Sequence, residues 1–184
     1  VIAALVPPLL DLVRDNEAPP PPPPGAAAGA PFASSGGAPP PLTGTPREQA
    51  DRLFGRIMQE RESGNLEQAR FFAPMAIQAY QAAEPLDDDA FYHLSLIHAI
   101  AQDYAAARRT ADQILARNPN HLLALAARAE AVGAAGDSAA MRDAWQRYLD
   151  HLETERTRPL PEYEAHATIL DIYAEQARRA IGAT

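Results

Sequence analysis

An all-α fold, built from antiparallel helix hairpins stacked side by side, is what this sequence predicts over residues 45–184. Three observations carry it. Apolar residues recur at spacings of three and four, as at Leu53 and Ile57, Phe72 and Ala76, and Phe91, Leu94 and Leu96, the period of an amphipathic helix. No stretch of useful length alternates β-branched and polar residues as a strand would. Helix breakers return at regular places, and Asp103-Tyr104 and Asp137-Ser138 stand 34 residues apart.

The first helix has a sharp start. In "TPRE" Thr45 is placed to cap, Pro46 to occupy the first helical position, and Glu48 to close a capping box. Gly64 ends this helix, because glycine accepts the left-handed conformation that closes a helix, and Asn65 caps the next. Asp103 and the pair Gly136-Asp137 repeat the device. Longer breaks fall at "EPLDDD", "NPN" and "RPLP". The predicted helices are 46–62, 66–82, 89–101, 104–117, 121–134, 138–154 and 162–180.

Two further zones precede this domain. Residues 1–17 open with ten apolar positions before Asp11. That is too short to span a bilayer, which takes about 20 apolar residues, and it reads as the end of a membrane anchor. Residues 18–44 are a Pro/Gly/Ala-rich linker, whose roughly 27 residues would reach ~80 Å when stretched. Phe32 and Leu42 are its only large apolar side chains between Pro19 and Gly44. They are the expected anchor points if the linker lies along a partner.

Composition narrows the function. The chain has no cysteine, which excludes disulfides, thiolate metal sites and cysteine nucleophiles. Its net charge is -8 and all 16 basic residues are arginine, without a basic cluster. Nucleic acid is therefore not an expected partner, since neutralising phosphates requires clustered cations. His93 and His98, five apart, do not share a helix face, and His121, His151 and His166 stand isolated in the sequence. No metal or cofactor site is read from them. The acids of "LDDDA" are read as helix capping and dipole chemistry, Trp145 as core. Ser63, Ser95 and Ser138 lack a nucleophile elbow, and no catalytic constellation assembles.

Read in a 34-residue frame, the stretch from Asp88 to Pro119 resembles a tetratricopeptide repeat, a helix-turn-helix unit of that period. Phe91, Leu94 and Ser95 fill the large, large, small positions of the first helix. Tyr104, Ala107, Ala111 and Leu115 fill the second, and Pro119 ends the unit. Two weaker units flank it. One carries Leu53, Gly64, Leu66, Ala69, Ala76 and Ile77, the other Leu125, Ala129, Gly136, Trp145 and Leu149, while Arg56, Arg128 and Met141 depart from the pattern. About three repeats over residues 50–153, closed by a solvating helix at 162–180, would satisfy the need of each unit to bury its face on a neighbour.

The resemblance implies a right-handed superhelical stack with a concave groove. It also implies which side chains line that groove: Asp51, Phe54 and Met58; Asp89, Tyr92 and Leu96; Leu123, Ala126 and Glu130. Aromatic and aliphatic groups ringed by acids suit an apolar peptide or helix bearing some positive charge. The function expected is a non-catalytic scaffold, membrane-tethered, docking on other subunits of a bacterial complex of respiratory, photosynthetic or secretory type. The periplasmic side is slightly favoured. The alternative is a membrane-anchored assembly factor, similar in layout to those of c-type cytochrome maturation.

Overall fold

A computed structural model describes residues 44–182. The apolar segment 1–17, the linker with Phe32 and Leu42, and the last two residues lie outside the described residues. What is described is all-α. The helices are α1 (Pro46–Glu62), α2 (Leu66–Ala82), α3 (Asp88–Ile100), α4 (Tyr104–Arg117), α5 (Leu122–Ala134), α6 (Ser138–Glu155), α7 (Pro161–Ala165) and α8 (Ala167–Gly182). None of them is long and apolar enough to cross a membrane.

The helix starts follow their local chemistry except at α2, where Asn65 caps nothing with its side chain and donates instead to Glu60 Oε2 at 3.0 Å. Thr45 and Glu48 form the reciprocal capping box at α1. Asp87, Asp103 and Asp137 each accept a backbone N–H three residues on, at 2.8, 2.9 and 2.9 Å. These bonds satisfy amides that the first helical turn leaves without a partner.

The turns between α1 and α2, α3 and α4, and α5 and α6 have one geometry. In each, two backbone amides reach back to close the preceding helix: Gly64 to Arg61 and Asn65 to Glu60, Gln102 to Ala99 and Asp103 to His98, Gly136 to Gly133 and Asp137 to Val132. The residue between is left-handed each time, with φ of 81° at Gly64, 63° at Gln102 and 91° at Gly136. Gln102 adopts it without being glycine, so the middle turn carries some backbone strain. A thrice-repeated turn places three hairpins in succession.

Consecutive helices from α1 to α6 pack on one another, α8 packs on α6, and α3 also touches both α1 and α5. Small side chains line one junction: Ala99, Ala107 and Ala131 cluster where α3, α4 and α5 meet. There Ser95 donates a hydrogen bond of 2.8 Å to the Ala107 carbonyl. A larger cluster runs from Tyr92 and Leu96 through α5 to Trp145, Tyr148, Tyr173 and Ala177. Trp145 is fully buried, as its sequence position predicts.

The C-terminal part differs from the single helix predicted over 162–180. The chain breaks at His166 into the short α7 and the longer α8. Beyond Pro161, which starts α7, nothing in "PEYEAHATIL" is a helix breaker, so the cause is tertiary. Tyr163 Oη accepts from the Leu122 amide at 2.7 Å, and Glu162 pairs with His121 at 2.9 Å, which pins α7 to the start of α5. Meanwhile α8 lies along α6, where Tyr148 Oη donates to the Leu170 carbonyl at 2.7 Å. The break lets one segment serve both directions. It also overrides local propensity, a weak prior against packing.

Candidate functional site

Helix α8 sits beside α6, where a solvating helix belongs, but it also reaches across the face formed by α1, α3 and α5. Tyr173 Oη meets Tyr92 Oη at 3.0 Å. Gln176 Nε2 donates to Glu130 Oε1 at 3.3 Å. Between α8 and α1 a cleft of about 200 Å³ remains. Its walls are Phe54 and Met58 from α1, Tyr92 and Leu96 from α3, and Ile169, Ile172 and Tyr173 from α8. Arg61, Glu62 and Glu130 supply its charge.

Five of the side chains assigned to a groove thus line this cleft: Phe54, Met58, Tyr92, Leu96 and Glu130. Leu123 and Ala126 are wholly buried in the core beneath. Asp51 and Asp89 belong to a polar network next to the cleft, described below.

Glu130 is the unusual member. It is 3% exposed, and its Oε2 has no hydrogen-bond partner among the described residues. Burial pushes its carboxyl above the ordinary range, against the opposing pull of Arg61 and the Gln176 hydrogen bond. Because the folded-state pKa is raised, the native state holds a proton that the unfolded chain releases once pH passes about 4.5. Stability therefore falls as pH rises through this window. Glu130→Gln keeps the amide contact to Gln176 and removes the titration. It should be more stable than the parent at pH 8, with the difference shrinking toward pH 4. Urea unfolding of both chains across that range measures it, and a difference independent of pH would refute the assignment.

The network beside the cleft joins α1, α2, α3 and the α7–α8 junction. Tyr80 Oη donates to Asp51 Oδ1 at 2.9 Å and lies 3.0 Å from His93 Nδ1. On the other side of the ring, His93 Nε2 lies 3.2 Å from His166 Nε2. His166 Nε2 lies 2.9 Å from Asp89 Oδ1. Arg47 bridges the two acids, binding Asp51 through Nε and Asp89 Oδ2 through Nη2, both at 2.9 Å. Burial alone would raise the Asp51 carboxyl, but the nearby His93 ring and the hydrogen bonds from Arg47 and Tyr80 outweigh it and hold the group at about 2. For Asp89 burial again opposes, and His166, His93 and Arg47 win, keeping it below its ordinary value.

Two side-chain groups have metal-ligand composition and spacing: Asp89, His93 and His166, and Asp88, His121 and Glu162. The second is already committed to structure. His121 Nδ1 accepts from the Ala124 amide at the start of α5, which leaves the ring hydrogen on Nε2 to donate to Glu162. Asp88 is paired with Arg117.

His166 is not isolated in the fold, in contrast to its place in the sequence. Its partners lie 73 and 77 residues away, across a fold-back that no local pattern announces. Asp89 and His93 are four apart on one helix and share a face. That half of the cluster was legible, although the acids there read first as capping residues. Asp87 does cap α3, while Asp89 turns to His166 and Arg47. No known family model matches this chain, and no curated protein does.

Proposed function

We propose that residues 45–184 form a non-catalytic interaction module of tetratricopeptide type, a right-handed stack of three hairpins that recognises a protein segment through the α1/α3/α8 cleft. The repeated turn supports the repeat reading. The observation that carries the binding role is the cleft itself: aromatic and aliphatic walls around one buried carboxyl whose second oxygen has no partner among the described residues. Such a site suits an apolar side chain that also brings a hydrogen-bond donor or a positive charge. An occupant of that kind would satisfy Glu130. Residues 1–44 act as the tether that holds the module near a membrane-bound complex, in keeping with their composition.

Selection of a random peptide library on the immobilised full chain tests this. Enriched peptides should share a large apolar residue next to Lys, Arg or an amide donor. Phe54→Ala combined with Met58→Ala should weaken them by about 2 kcal/mol, the scale of an interface anchor, while the fold is retained because both side chains are only partly buried. Peptides that bind parent and variant equally would place recognition on another surface.

A further inference from the structure

We infer that Asp89, His93 and His166 form a binding site for one divalent transition-metal ion of the zinc class, which clamps the α7–α8 junction onto α3. The inference is independent of what the cleft binds. It starts from the hydrogens. Tyr80 Oη has one hydrogen, which it donates to Asp51. Its lone pair then faces His93 Nδ1, so that nitrogen carries the ring hydrogen and donates. The neutral His93 ring therefore keeps its lone pair on Nε2. The Asp89 Oδ1 atom is a second lone-pair donor, and His166 Nε2 is the third atom of the group. One hydrogen on His166 serves only one of its two neighbours well. Two lone-pair atoms thus converge on His166 Nε2, and with the His166 hydrogen on Nδ1 all three atoms present lone pairs, an arrangement that a cation stabilises.

The geometry agrees with a single ion. With metal–ligand bonds of about 2.05 Å, tetrahedral ligand atoms stand about 3.3 Å apart. The three separations here are 2.9 Å for Asp89 to His166, 3.2 Å for His93 to His166 and 3.5 Å for Asp89 to His93. They bracket that value. Two imidazoles and one carboxylate favour zinc and its neighbours over magnesium or calcium, which prefer all-oxygen sites.

The outer shell is of the kind that metal-binding histidines use. His93 is oriented by Tyr80 and Asp51 behind it, and its ring stacks on Phe54 with centroids 3.8 Å apart. Asp89 is steadied through its other oxygen by Arg47. The side chains of His166 and Asp89 are 21% and 26% exposed. That exposure gives an ion a route in and leaves solvent or a partner group to complete its coordination.

The test uses the untagged full chain, with zinc titrated in competition with a chromophoric chelator and cobalt(II) as a spectroscopic probe. One equivalent should bind, and cobalt should give the visible absorption of a low-coordinate nitrogen-ligated ion. His166→Gln and Asp89→Asn should each lower affinity at least ~100-fold, and Tyr80→Phe, which acts only by positioning His93, by ~10-fold. His151→Gln should bind as the parent does. Zinc at about a hundredfold its dissociation constant should raise the melting temperature of the parent by roughly 5–10 °C and leave His166→Gln unmoved. If His166→Gln unfolds, Asp89→Asn decides, because it preserves side-chain shape. Absence of one-equivalent binding, or binding that survives both substitutions, overturns the site.

Discussion

Ala107→Arg is expected to abolish stable folding. Ala107 has no exposed surface and lies in the close contact of α3, α4 and α5, against Ala99 and Ala131. Its carbonyl accepts the buried Ser95 hydroxyl, so the two helices are already at hydrogen-bonding range there. An arginine at this position must displace a neighbouring helix or bury its guanidinium. Overpacking costs about 1–3 kcal/mol, and desolvating the charge several more. The sum approaches the whole stability of a domain, about 5–15 kcal/mol. Ala105→Arg, on the exposed side of the same helix, should change stability by no more than about 0.5 kcal/mol. Thermal unfolding followed by circular dichroism compares them. Equal melting temperatures for the two variants would show that α3 and α4 do not meet at Ala107.

This contrast between one side of a helix and the other was readable in the sequence, because it depends on local spacing. The turn is legible from Asp103, and the repeat resemblance then implies a small residue at the helix contact, Ala107. The same holds at Thr45 and Glu48, at Gly64 and at Gly136, where the groups that cap a helix are its sequence neighbours. The middle turn was harder to read, since its left-handed residue is Gln102 and not glycine. Its aspartate cap gave it away.

What the sequence concealed is long-range. The kink at His166 comes from two anchors on α7, to His121 and to the Leu122 amide, acting against a third direction imposed on α8. None of these leaves a mark in "PEYEAHATIL". The meeting of His166 with His93 follows from that kink and was equally hidden. Asp89 and His93 show the intermediate case. Their spacing of four was visible, but an acid in a first helical turn has an ordinary explanation in the helix dipole. Only the partner from the far end of the chain distinguishes the two roles. The groove residues divide on the same principle. Phe54, Met58, Tyr92 and Leu96 face a groove only on the register that the repeat resemblance implies, not on spacing alone. Whether their face is open to solvent depends on α8.

How firmly α8 holds that face decides whether the cleft has a fixed or an adjustable wall, and Tyr173→Ala should settle it. Tyr173 is 4% exposed. It packs against Trp145 and Tyr148, with ring centroids 6.0 and 6.5 Å away, and its hydroxyl meets that of Tyr92. Truncating a buried aromatic leaves a cavity and costs about 3–5 kcal/mol. Tyr173→Phe removes only the hydroxyl contact and should cost about 1 kcal/mol. If α8 is part of one cooperative core, Tyr173→Ala will lower the urea midpoint of the whole domain by the full amount. Amide exchange will then quicken in α3 and α5 as much as in α8. If α8 is a separable wall, the loss will appear first as rapid exchange confined to residues 167–182, with α1–α6 still protected. The burial of Leu170, Tyr173, Ala174 and Ala177 in the same cluster as Leu123, Ala126 and Trp145 favours the first result. No boundary in that cluster divides α8 from α5 and α6, so a side chain lost from α8 is lost from their core as well. Protection that disappears from α8 alone would refute this and make the wall of the cleft a movable one.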